Sequence, residues 1–242
     1  MKITTRNLLA ELLIEALDDP IAATALQCLA QYSGVAAPFS PAITVEQLLE
    51  PTTASHYDVV LAKLQSTPLL AWDLSNSSGQ VTLAAAFVAE GQEIRDKFTR
   101  FNTALHEWSS DTKDTPVRQA LKKGALLFNH HLFFEVHEVL EAQWMLETGE
   151  EKRFLQGLIQ IAVAFYHRER GNLRGALSLL QDGLEKVTPH RPTFLGIELE
   201  KFTQRLETCR AEMLRLGEAE LSQFRSDLIP PLQIAGETGR QI

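Results

Sequence analysis

Phe128-Asn129-His130-His131-Leu132-Phe133-Phe134-Glu135-Val136-His137-Glu138-Val139-Leu140-Glu141-Ala142-Gln143-Trp144 is the stretch on which the reading of this chain turns. At about 100° per residue, Phe133, Phe134, Leu140 and Trp144 all fall within about 60° of His137 on a helical wheel, and so does Glu141. His137 and Glu141 are thus expected in the middle of an apolar face. Glu138 falls on the edge of that face, and Glu135 is expected to point largely away. A polar group buried without a partner costs about 1–3 kcal/mol, so the inward pair calls for partners on a neighbouring helix.

The next helical segment carries a matching peculiarity. Phe154, Leu155, Leu158, Ile159, Ile161 and Phe165 cover most of its surface, leaving one polar stripe of Arg153, Gln156, Gln160 and His167 beside the small residues Gly157 and Ala164. A helix apolar nearly all round is expected in the centre of a bundle. If the chain turns back near Gly149, Glu141 comes level with Gln156 and His137 with Gln160, with Arg153 near the turn. His167 comes level with His131, about 9 Å along the axis from His137 at 1.5 Å per residue.

Working outward, Thr115-Pro116 starts a helix to about Asn129, and a second runs from about His131 to Glu147. A third spans Glu150 to Arg168 and is ended by Gly171, and a fourth spans Leu173–Val187. A fifth is expected to begin at Thr193, after Pro189 and Pro192, and to extend past Leu216. Short connections make such helices antiparallel neighbours. The tail from Pro230 has two prolines and two glycines and is expected to fray.

The chain before Gly91 differs in composition. Residues 1–90 hold 3 basic and 9 acidic side chains and 91–242 hold 20 and 22, so most of the net charge of −8 lies in the first part. Leu8, Leu9, Leu12, Leu13 and Leu17 make a helical stripe ending at Asp18-Asp19-Pro20. Asp19 caps a second helix that Gly34 ends, Thr44-x-x-Gln47 reads as a capping box, and Ser55–Gln65 reads as a further helix. Residues 80–108 read as one long helix, with a hairpin between 69–74 and 81–88 as the alternative. The expected division is a mostly helical region 1–112, a helical bundle 113–226 and a tail 227–242, all-α overall.

Several motifs here resemble DUF309, a family defined only as a domain of unknown function. They are Phe128-Asn129, Phe133-Phe134-Glu135-x-His137-Glu138-x-x-Glu141-x-x-Trp144, Phe154-Leu155-Gln156-Gly157-Leu158-Ile159-Gln160-x-Ala162, Tyr166-His167 and Arg170-Gly171-Asn172-x-x-Gly175-Ala176. They recur in order over about residues 118–210. The resemblance implies an all-helical bundle and brings no activity. His131 departs from the family pattern, which usually has glycine there.

Three chemistries suit these residues. His137, Glu141, Gln156 and Gln160 can bond one another as a buried network that fixes helix register. They can instead line a pocket for a small polar ligand, with Gly157 and Ala164 making room and Arg153 and His167 offering polar ends. The third is a metal-dependent hydrolase, because His137-Glu138-x-x-Glu141 resembles the zinc protease spacing. His137, Glu141 and His167 would then hold a divalent metal, with Glu138 as the catalytic base. A ligand-binding or interaction module is the preferred reading, its partner a small polar ligand, another protein or a second copy of the chain.

Composition removes other classes. A net acidic chain with no Lys/Arg cluster does not suit nucleic acid. No run reaches the ~20 apolar residues of a membrane span, and the amphipathic start lacks a signal-peptide pattern. Cys28 and Cys209 match no metal or redox spacing, so reduced thiols in the cytoplasm are expected.

Overall fold

The computed structural model describes residues 1–35, 42–75, 78–109 and 113–236, and the chain divides into two compact units, Met1–Trp108 and Ser109–Ile242. Residues 76 and 77, between the two arms of the alternative hairpin, and 237–242 of the expected tail lie outside the described residues. The fold is predominantly helical, with ten α-helices among the described residues and only short strands.

The first unit holds α1 (Ile3–Glu15), α2 (Pro20–Val35), α3 (Val45–Leu48), α4 (Tyr57–Ser66) and α5 (Gly91–Glu107) and a small antiparallel sheet on which α3 and α4 pack. The capping signals act as read. Asp19 accepts from the Ile21 and Ala22 amides, and Thr44 and Gln47 form a reciprocal capping box. The leucine stripe is the inner face of α1, with Leu9 and Leu13 fully buried. Helix α2 packs on α1, α4 and α5, and its Tyr32 hydroxyl accepts from the Leu83 amide at 2.9 Å.

The long helix expected over 80–108 is not formed. Its first part is instead the second arm of the hairpin, in which β2 (Leu70–Asp73) pairs with β3 (Gln80–Leu83), and β3 also pairs with β1 (Ile43–Thr44). Val81 is fully buried between exposed Gln80 and Thr82, a two-residue alternation that suits a half-buried strand. A 3-10 turn, Ala85–Glu90, then leads into α5. Its last residue, Glu90, is buried and accepts from the Lys2 amide and the Thr5 hydroxyl at the start of α1.

The second unit is a sequence of antiparallel helices: α6 (Pro116–Asn129), α7 (Phe133–Trp144), α8 (Gly149–Glu169), α9 (Leu173–Val187) and α10 (Glu200–Glu220), each packed on the next. Phe128 of α6 meets Phe133, Phe165 and Phe202 edge-on at 5.3, 5.9 and 5.7 Å, which ties α7, α8 and α10 into one core. The turns α6–α7 and α8–α9 share one geometry. His131 and Gly171 both have left-handed backbone, with φ 57° and 73°. In each, the left-handed residue's amide reaches back three residues, to Phe128 or Arg168. The next amide reaches back five, to Leu127 or His167. This is the double-bonded helix stop that glycine favours, and histidine occupies the first of the two.

Two expectations fail at the C-terminal end. The chain from Thr193 does not enter a helix. β4 (Thr193–Phe194) and β5 (Ile197–Glu198) form a hairpin around Leu195-Gly196, both with positive φ, and α10 begins only at Glu200. The expected fraying of the tail is also corrected up to residue 236. β6 (Gln233–Ile234) pairs with β5, Leu232 is buried, and the Asn129 side chain bonds the Leu232 backbone in both directions at 2.7 and 3.2 Å.

Candidate functional site

The register read for the α7–α8 hairpin holds. Phe133 stacks on Phe165 at 5.3 Å, Phe134 lies 5.8 Å from Tyr166, and Lys152 sits 4.4 Å over the Trp144 ring. These rungs bracket the polar residues, so His137 is level with the Gln160 turn and Glu141 with the Gln156 turn.

The side chains do not close a network across that register. His137 is flanked from its own helix, its Nδ1 3.0 Å from Glu138 Oε1 and its Nε2 3.6 Å from Glu141 Oε2. Among the described residues, no hydrogen bond joins His137 or Glu141 to Gln156 or Gln160, and the Gln160 Oε1 atom has no hydrogen-bond partner. The His137 side chain is 26% exposed and Glu141 45%.

The carboxylate taken out of water is Glu135, which is 0% exposed. The wheel assigned it outward because it assumed one buried face, whereas α7 packs against both α6 and α8 and is covered on two sides. Glu141 is then left half-exposed. The same reasoning relocates the α8 stripe. Helix α8 is central, between α7 and α9, and its remaining strip of Gln156, Ile159, Gln160, Val163 and Tyr166 is half-buried, with Arg153 exposed at its start.

The room beside Gly157 is filled by protein. A side-chain carbon there would lie 2.7 Å from Val187 and 2.9 Å from Lys186, and one at Gly183 would lie 2.8 Å from the Gly157 carbonyl. The glycines let α8 and α9 cross with their backbones in contact, which corrects the expectation that Gly157 opens a ligand pocket.

The expected metal trio is not assembled. His167 lies in the last turn of α8, where its Nδ1 is 3.0 Å from the Asn172 side chain that caps α9. Glu138 and Glu141 face opposite nitrogens of the His137 ring and do not converge on one point. Among the described residues, no three His, Cys, Asp or Glu side chains are grouped to hold a metal ion. Cys209, fully buried, has its thiol pushed up to about 11 by that burial, which makes it a poor nucleophile.

Both shared helix turns and the polar residues of α7 and α8 lie in one segment of the chain. Residues 121–179 match the family model of DUF309, a domain of unknown function. The DUF309 segment runs from α6 into α9. A stretch of 101 residues is 42% identical to the uncharacterized protein YpuF of Bacillus subtilis (strain 168), covering 40% of this chain and 55% of that protein. A stretch of 90 residues is 30% identical to an uncharacterized protein of Aquifex aeolicus (strain VF5), covering 37% of this chain and 27% of that one. The chain therefore spans about half or less of the length of these relatives. No described helix is long and apolar enough to cross a membrane.

Two site features were missed from sequence. Asn129, quoted only as a motif residue, is the clamp on the C-terminal strand. Arg168, in the last turn of α8, gave no signal because a lone arginine near a helix C-terminus reads as a solvated charge favoured by the helix dipole.

Proposed function

We propose that the second unit is a protein-interaction module whose working face is the α7–α8 margin. One observation carries this reading: His137, Glu138 and Glu141 on α7 and Gln156 and Gln160 on α8 lie half-exposed beside apolar residues. Ile159, Val163 and Tyr166 on α8 supply apolar surface, and Glu138 and Glu141 on α7 supply negative charge on either side of His137. Such a strip fits an amphipathic partner segment that lays an apolar edge along α8 and sets lysine or arginine against the two carboxylates. The outward stripe and the filled space beside Gly157 favour a surface contact over an enclosed small ligand.

Selection from a displayed peptide library against the full chain tests the reading. Enriched peptides should carry net positive charge and recurring apolar positions, and Glu138→Lys together with Glu141→Lys should weaken their binding at least tenfold while far-UV circular dichroism stays unchanged. Enrichment without basic residues, or binding indifferent to the charge reversals, would refute it.

A further inference from the structure

The opposite end of α8 carries a cation with little to balance it. Arg168 is half-buried. Its Nη2 donates to the Ser226 hydroxyl at 3.4 Å, its guanidinium lies 5.0 Å from the Phe224 ring centre, and its buried Nε donor has no hydrogen-bond partner. Among the described residues it makes no ion pair, although taking a guanidinium from water is costly unless it is paired. Burial pushes its pKa below the ordinary value, with neighbouring Glu169 acting in the other direction. Cys209 lies close by but holds its proton at neutral pH and offers no counter-charge. The dipole of α8 helps, since Arg168 sits in its last turn, but that is a fraction of a charge.

A second guanidinium reaches the same short turn, Ser226–Leu228. Exposed Arg205 of α10 donates through one nitrogen to the carbonyls of Asp227 and Leu228, at 3.2 and 3.3 Å. Arg225, next to Ser226, is already committed to Asp227 by a two-pronged ion pair, so the local acid is spent on it. Two guanidinium groups and a hydroxyl therefore border one turn, whose own carboxylate, Asp227, is held by Arg225, with Arg205 acting on it more weakly. Planar guanidinium donors and a hydroxyl are what a phosphate group takes for recognition.

We propose that Arg168, Arg205 and the Ser226 hydroxyl form a binding site for a tetrahedral oxoanion of the phosphate class. The anion takes hydrogen bonds from both guanidinium groups and from Ser226, and bridges α8 and α10 through the 226–228 turn. This site is independent of the α7–α8 face.

The test is thermal unfolding of the full chain with inorganic phosphate, with a simple phosphomonoester, and with chloride at matched ionic strength. Phosphate should raise the midpoint in a saturable manner, by about 5 °C or more at a hundredfold excess over Kd. Arg168→Gln should abolish the rise, and Arg205→Gln and Ser226→Ala should reduce it at least threefold in affinity. Arg174→Gln, on the exposed side of α9, should leave it intact. A response to both phosphate and the ester assigns the site to phosphorylated ligands, and a response to phosphate alone assigns it to the free ion. Should Arg168→Gln fail to fold, the other two variants carry the test. No rise above chloride, or an equal rise in all variants, overturns the proposal.

Discussion

Adding one methyl group at Gly183 should separate α8 from α9, whereas the same change at Gly124 should cost nothing. A side-chain carbon at Gly183 would sit 2.8 Å from the Gly157 carbonyl, 3.1 Å from the Ile161 amide and 2.7 Å from Ile161 Cγ1. Two of those atoms are backbone of the facing helix and cannot rotate away. At Gly124 the nearest atom is Leu140 Cδ2 at 2.9 Å, the end of a flexible side chain. Alanine is favoured over glycine in a helix by about 1 kcal/mol, and overpacking costs about 1–3 kcal/mol. Because two of its contacts are fixed backbone, Gly183→Ala takes the upper part of that overpacking range, about 2–3 kcal/mol, and should lose about 1–2 kcal/mol net, whereas Gly124→Ala should lie between neutral and a gain of about 1 kcal/mol. Urea unfolding followed by far-UV circular dichroism reads this as a shifted midpoint at constant slope. Equal stability of the Gly183→Ala variant and the parent, or a comparable loss for Gly124→Ala, would show that the close α8–α9 crossing is wrong.

Three further outcomes follow from particular residues. His131 holds a left-handed backbone, so His131→Val should be about 1–2 kcal/mol less stable than His131→Gly in the same urea assay. Leu195 has φ 49° in a two-residue hairpin turn where asparagine or glycine is favoured, and Leu195→Asn should raise the thermal midpoint by an amount equivalent to about 0.5–1 kcal/mol. The Asp114 carboxyl is held below its ordinary value of 3.8, chiefly by its hydrogen bond from Lys122 and also by Arg118. Its folded-state pKa is depressed, so its contribution is present above about pH 4 and is lost as pH falls through the lower folded value. Unfolding midpoints taken from pH 6 down to pH 2 should fall less steeply in Asp114→Asn than in the parent, and identical acid limbs would count against the ion pair.

The helices of the second unit were legible because their ends carry local chemistry. Thr115-Pro116 starts α6, and Gly171 stops α8 with Asn172 capping α9. Periodicity also gave the pairing of α7 with α8, which the Phe133–Phe165 contact verifies. Orientation was less legible. A wheel finds the most apolar direction but cannot register that α7 is covered from two sides, so Glu135 and Glu141 were assigned to the wrong environments. The hairpin before α10 was hidden for another reason. Leu195-Gly196 lacks the asparagine or aspartate that marks such turns, and two prolines just ahead look like a helix start. The Arg168–Ser226 contact joins residues 58 apart and has no sequence signature.

The polar stripe of α7 and α8 lies half-exposed at their margin and not in the core. The stability of His137→Ala in urea tests that directly. An imidazole about a quarter exposed, with carboxylates at the surface on either side, should contribute no more than about 1 kcal/mol. A loss of about 3 kcal/mol or more, as when one member of a buried ionic network is removed, would contradict it and return His137 to the core.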